Sequence, residues 1–214
     1  MRLPMSAVGA HIVTEMFERE LCRYTGAPYA VAVDNESNAL SLCLWRDKGT
    51  YDQIMIPSRT YMSVPAEIIL MGGRVKFMPV NGTTLTGAYR LVPTRIWDSA
   101  LRFTADMYIP GSLMCLSMTG PYKHLKLGKG GAILCDKEED YKWFKRARFS
   151  GRNECSYHTD EFTMLGKNYY MLPEIAARGL LLMPQFYHLD GRKRVMPDLE
   201  LPYPDLSQHP AYKT

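Results

Sequence analysis

Residues 25–45 read TGAPYAVAVDNESNALSLCLW, and the order of residue types along them sets the fold class. A Thr-Gly turn leads into a short apolar run that ends at Asp34. Asn35, Glu36 and Ser37 are polar. Ala39, Leu40, Cys43 and Leu44 then recur at helical spacing. The pattern is strand, polar turn, helix. Working outward, residues 12–24 place Val13, Met16, Phe17, Leu21 and Tyr24 on one helical face. Residues 52–58 (DQIMIPS) predict a second buried strand, and residues 63–73 (SVPAEIILMGG) a helix stopped by Gly72 and Gly73. Residues 74–80 (RVKFMPV) predict another strand, and NGTTLTG at 81–87 reads as a turn. TRIWDSA (94–100), SLMCLSM (112–118) and GAILCD (131–136) predict three more strands. KEEDYKWFKRARF (137–149) is an amphipathic charged helix, and LPEIAARGLLLM (172–183) is a helix with Pro173 near its start. Strands alternating with helices predict an α/β fold whose mainly parallel sheet is flanked by helices on both faces.

The 214 residues suffice for one sizeable core, read here as a single α/β domain over 1–185. From 186 to 214 the chain turns Pro-rich and predicts an extended tail that packs on the body or on a partner. No window approaches the ~20 apolar residues of a membrane span, so no membrane contact is expected. The opening MRLPMSAVGAH lacks a leader's long apolar core. Five widely spaced cysteines fit unpaired thiols in a reducing compartment, hence a cytoplasmic protein. A net charge of +4 permits an anionic partner without requiring one.

In such sheets ligands sit beyond the carboxyl ends of the strands. Four polar clusters follow predicted strands: Asn35 to Ser37, Ser58 to Tyr61, Asp98-Ser99, and Ser117 to Lys123. A metal site is disfavoured, because Cys155 and His158 stand without a second pair. No G-x-S-x-G elbow occurs, and GKGG at 128–131 fails the P-loop pattern. A pyridoxal phosphate (PLP) site needs an amine, a carboxylate for the pyridine nitrogen, an aromatic face, and hydroxyls with helix N–H groups for the phosphate. Lys123, Asp98, Tyr61 and Ser37 could supply these four parts. Each also has a plain structural reading: a surface lysine, a turn cap through Ser99, a core aromatic and a helix N-cap.

Five segments, in order, resemble the DegT/StrS family of PLP-dependent sugar aminotransferases, which are fold type I enzymes. Residues 17–44 look like its opening helix and phosphate-cup segment. Residues 54–80 are similar to its Pro-x-x-Thr-aromatic segment, and IWDSA to its Asp strand. LSMTGPYKHLKLGKGGAILCD (116–136) is similar to its lysine signature, and LGKNYYMLPEIAARGLLL (165–182) to its Asn-Tyr helix start. The resemblance implies that Lys123 is the Schiff-base lysine and proton shuttle. It implies that Asp98 pairs with the pyridine nitrogen and that Tyr61 stacks on the ring. Ser37, the backbone at Glu36, and Ser117 would hold the phosphate. Asn168 would reach the phosphate of a neighbouring subunit, which implies a homodimer with shared active sites.

The sequence also departs from the family. Glu36 puts a carboxyl in the phosphate cup, and the Ser117–Lys123 interval is one residue longer than usual. Leu101 stands where His or Gln is common, and Ser150 where His is common. Tyr170, at a substrate-binding position, replaces the arginine. An extra helix, strand and helix expected between 80 and 96 are missing, and so is the small C-terminal domain. The expectation is a shortened aminotransferase that moves an amino group from a small-molecule donor to a keto-sugar or similar acceptor through Lys123. One alternative keeps PLP but makes the reaction a decarboxylation, elimination or isomerisation of an amine on a bulky or nucleic-acid-linked substrate. The basic clusters at 141–152 and 192–194 motivate it. A third reading is a catalytically degenerate homologue that binds a partner.

Overall fold

The computed structural model describes residue 9 and residues 11–212. Residues 1–8, from which the absence of a leader was read, lie outside the described residues. Helix α1 (His11–Thr25) leads to β1 (Tyr29–Val33), α2 (Glu36–Arg46), β2 (Gln53–Pro57), α3 (Ser63–Leu70) and β3 (Arg74–Met78). Then come β4 (Thr84–Arg90), β5 (Ile96–Leu101), β6 (Leu113–Ser117), β7 (Gly131–Cys135), α4 (Glu138–Ala147), α5 (Pro173–Leu182) and β8 (Glu200–Pro202).

The main sheet has the order β1-β7-β6-β5-β4-β8, and β2 with β3 forms a second sheet. The side chains of β1, β6 and β7 alternate between two cores. Ala30, Ala32, Met114, Leu116, Ala132 and Leu134 join Phe17, Leu21 and Tyr24 of α1. Val31, Val33, Leu113, Cys115, Ile133 and Cys135 join Leu40, Leu42 and Cys43 of α2 and Phe144 of α4. Burial on both faces is why these strands read as unbroken apolar runs.

The α/β class stands, with helices on both faces, but the sheet is not mainly parallel. Only β5–β6 and β2–β3 pair parallel, whereas β1–β7, β6–β7, β4–β5 and β4–β8 are antiparallel. The cause is connection length. No helical crossover links β4 to β5 or β6 to β7, so each strand returns beside its predecessor. The segment read as a Gly/Thr-rich turn runs, from residue 84 on, into the first half of β4. It stands next to β5, in the interval where the expected helix–strand–helix is missing.

Four strands still share one direction, β8 among them because it and β5 are both antiparallel to β4. β1 and β6 are both antiparallel to β7, and β5 is parallel to β6. The carboxyl ends of β1, β5 and β6 therefore open on one edge of the sheet. Past α5 the chain runs along the body to this same edge. Leu199 N–H donates to the Leu101 carbonyl (2.8 Å), and Leu206 N–H to that of Ser58 (2.8 Å).

Candidate active site

Asp98 lies in β5 and is buried. Its Oδ1 accepts from the Ala100 N–H (2.8 Å) and its Oδ2 from the Tyr89 hydroxyl (2.8 Å). Since Tyr89 donates there, Thr60 Oγ1 donates to the Tyr89 oxygen (2.5 Å). Burial first and Asp98 second push the Tyr89 phenol well above its usual range, so it stays a donor. Lys123 is in the loop after β6. Its amine donates to the Ala100 carbonyl (2.6 Å), which brings it to the β5 end that carries Asp98.

Glu36 opens α2, directly after the Asn35 cap. It is buried, and its Oε1 has no hydrogen-bond partner. Burial, and then the Asp98 charge, raise its carboxyl well above the carboxylate range, against the opposing pull of Lys123. Burial also raises Asp98, but Ala100, Tyr89 and Lys123 oppose it. Of the two carboxyls, Asp98 keeps the charge, because it has the hydrogen-bond donors that favour a carboxylate. Glu36 is the member pushed further toward its neutral form. Burial lowers the Lys123 pKa, outweighing Glu36 and Asp98. The result is a desolvated amine beside one carboxylate and one carboxylic acid, the kind of perturbed cluster that marks a functional site.

Gly131 lets this arrangement form. A Cβ there would stand 2.6 Å from the Asn35 carbonyl carbon and 2.7 Å from Glu36 N. Only glycine lets β7 pass under the start of α2, and this is the structural work of the GKGG stretch. Its partner across the strands is Ser117, half-buried at the end of β6. The helix cap is Asn35, whose side chain accepts from Asn38 N–H (2.9 Å), so Ser37 is not the N-cap. Ser37 Oγ instead donates to Ser63 Oγ at the start of α3 (2.7 Å).

Tyr61 is 47% exposed, and its ring meets Tyr203 edge-on with centroids 6.3 Å apart. Asn168 and Tyr170 are not brought to this cluster. They border a cavity of about 290 Å³ with Asp34, Lys129 and Leu172, and its lining includes none of Lys123, Asp98 and Glu36. Two residues at the site escaped the sequence reading. Tyr89 lies in the second half of a strand whose first residues were read as a turn, and Tyr203 lies in the Pro-rich tail. Neither stretch has a periodicity that could have flagged them.

Residues 8–96 match the model of the DegT/DnrJ/EryC1/StrS aminotransferase family. No curated protein matches the chain. Among solved structures, AtS13 from Actinomadura melliaura is 20% identical with a TM-score of 0.65 and covers 83% of this chain and 60% of its own. Spr1654 from Streptococcus pneumoniae, in its PLP form, is 18% identical (TM-score 0.64; 86% and 61% covered). Helicobacter pylori PseC, an aminotransferase involved in pseudoaminic acid biosynthesis, is 14% identical (TM-score 0.61; 81% and 57% covered). This chain thus spans about three-fifths of the length of the solved enzymes it matches. The similarity to the DegT/DnrJ/EryC1/StrS family thus lies in residues 8–96, and the chain shares the fold of these solved structures, the fold type I architecture.

Proposed function

We propose that the chain is a PLP-dependent aminotransferase-like enzyme built on Lys123. One observation carries this reading. A desolvated amine and a hydrogen-bonded carboxylate meet at the carboxyl end of β5, in a chain whose first segment matches an aminotransferase family. The residues present fit the cofactor. The buried Glu36 Oε1 lacks a partner among the described residues, so the site holds a polar atom that these residues do not satisfy. Glu36 would be an obstacle as an anion, but its neutral form can donate to a phosphate oxygen instead of repelling it.

PLP, when bound, supplies the electron sink for a carbanion at the amino-bearing carbon. The chain's residues do the rest. Asp98, held ionised by Ala100 and Tyr89, would keep the pyridine nitrogen protonated. Lys123, its pKa lowered by burial, would act as the nucleophile and move the proton at the substrate carbon. Tyr61 would cover the ring face. The α2 N-terminus with Ser37, and Ser117 across from it, would take the phosphate. Asn168 is exposed and borders one cavity with the exposed Leu172, which supports a role toward a second copy in a homodimer. Tyr170 would then line that shared boundary on the substrate side.

The purified protein mixed with PLP should turn yellow, and Lys123→Ala should abolish the colour. A wild-type protein that stays colourless and retains no PLP refutes the proposal. Adding glutamate to the yellow form should bleach it, as transamination requires. Colour that persists with glutamate but bleaches with other amines favours a different PLP reaction.

A further inference from the structure

The solved aminotransferases extend well beyond this chain, yet its site is not left open. The last turns of the chain cross it. His124, next to Lys123, contacts the Pro197 carbonyl through Nε2 (2.8 Å). Asp198 then takes a two-pronged pair from Arg102, with Nε at 2.8 Å and Nη2 at 2.5 Å. Gly87 makes room for that pair, since a Cβ there would sit 2.4 Å from Asp198 Oδ2. β8 adds to the sheet edge by pairing with β4, the strand that carries Tyr89. Beyond β8, Arg59 Nη1 donates to the Tyr203 carbonyl (2.9 Å), Ser58 Oγ donates to Asp205 Oδ2 (3.2 Å), and Leu206 is 4% exposed. The segment is thus tied at one end to the lysine loop and at the other to the Ser58–Tyr61 segment.

Resting on the PLP reading, we propose that residues 197–206 form a strap that walls the active site, and that Tyr203 is its substrate-positioning residue. The Tyr203 ring lies against Tyr61, the residue that would cover the cofactor ring. Its hydroxyl stands in the field of Asp98 and Glu36. Burial, then these two groups, push the phenol up to about 12, so it is a donor at every physiological pH. A phenol O–H in that place recognises a hydroxyl or carbonyl oxygen on the acceptor.

The test begins without cofactor, on the full-length protein. Acetic anhydride acetylates exposed amines, and mass spectrometry reads the rate at Lys123. Asp198→Ala and Tyr203→Ala should each speed acetylation of Lys123 by about ten-fold, the scale of releasing one locally anchored segment, with Lys126 as an internal reference. Unchanged rates in both variants overturn the strap. With PLP and an amine donor–acceptor pair, Tyr203→Phe should keep cofactor uptake and kcat within about two-fold of wild type. It should raise the acceptor KM by about ten-fold, as loss of one substrate hydrogen bond does. An unchanged KM overturns the positioning role. A wild-type chain that takes up no PLP refutes the cofactor reading and with it the substrate role, while the acetylation rates still decide whether the strap covers the lysine.

Discussion

Two buried charge clusters sit in one small fold, and they are built on opposite plans. In the first, Arg148 of the segment after α4 is 1% exposed and pairs with Glu18 of α1 and with Glu154 (2.5 Å to the latter). Lys145 also meets Glu18 at 3.0 Å and Glu154 at 2.7 Å, and the Ala32 N–H donates to Glu18 Oε1 (2.8 Å). Every carboxylate oxygen of this cluster has a partner, although Arg148 Nε does not. The Glu154 carboxyl falls to about 2, where Arg148 and Lys145 outweigh its burial. In the second cluster, burial moves Glu36, Asp98 and Lys123 toward their neutral forms. The first cluster locks α1, β1 and α4 together. The second holds groups out of their preferred states, as a reactive site must.

Replacing one ionisable group in each cluster should therefore have opposite consequences. Arg148→Met leaves two glutamates buried around Lys145 alone. It should cost about 3–5 kcal/mol, the usual penalty for breaking a buried ion pair, read by urea denaturation at neutral pH. A loss under about 1 kcal/mol would mean that water reaches the cluster and that the comparison fails.

Glu36→Gln should move stability the other way, and with pH. The folded pKa of Glu36 lies above its unfolded value, so the folded state holds a proton that the unfolded chain releases. Its contribution is present in full below the unfolded pKa and is lost as pH rises toward the folded one. Through that window wild type should lose about 1.4 kcal/mol per pH unit from this group. The Gln variant should lack that slope, matching wild type in acid and exceeding it at neutral pH. Parallel stability curves for the two proteins would show that Glu36 is ionised, and would remove the argument that it tolerates a phosphate.

Much of the fold was legible because the central strands are buried on both faces. YAVAV and GAILC are apolar at nearly every position, and no other element type fits so short a run between turns. Strand direction was not legible, since pairing depends on what the connections do in space. β4 escaped because an edge-region strand is only partly buried. Its sequence, TLTGAYR, carries Thr and Gly where a central strand has Val or Ile. The carboxylate and the amine of the site were legible as types and positions. Tyr89 and Tyr203 were not, because only tertiary contact brings a missed strand and a Pro-rich tail to Asp98.

The smallest test asks what Tyr89 adds to that carboxylate. Its hydroxyl is one of two donors that hold Asp98, and the Thr60 hydroxyl donates back to it. Tyr89→Phe keeps the ring and removes both bonds. The protein should lose about 1 kcal/mol, the net worth of one such hydrogen bond, visible as a small fall in the denaturation midpoint with unchanged slope. Asp98 should then hold its charge less firmly, so PLP should bind more weakly, by a factor of about five for that same energy. Paired with Thr60→Val, the double variant should cost little more than Tyr89→Phe alone, because Thr60 acts only through the phenol. Full additivity would mean that Thr60 and Tyr89 serve the fold separately. The site's carboxylate would then rest on the Ala100 N–H and Lys123, with no relay behind it.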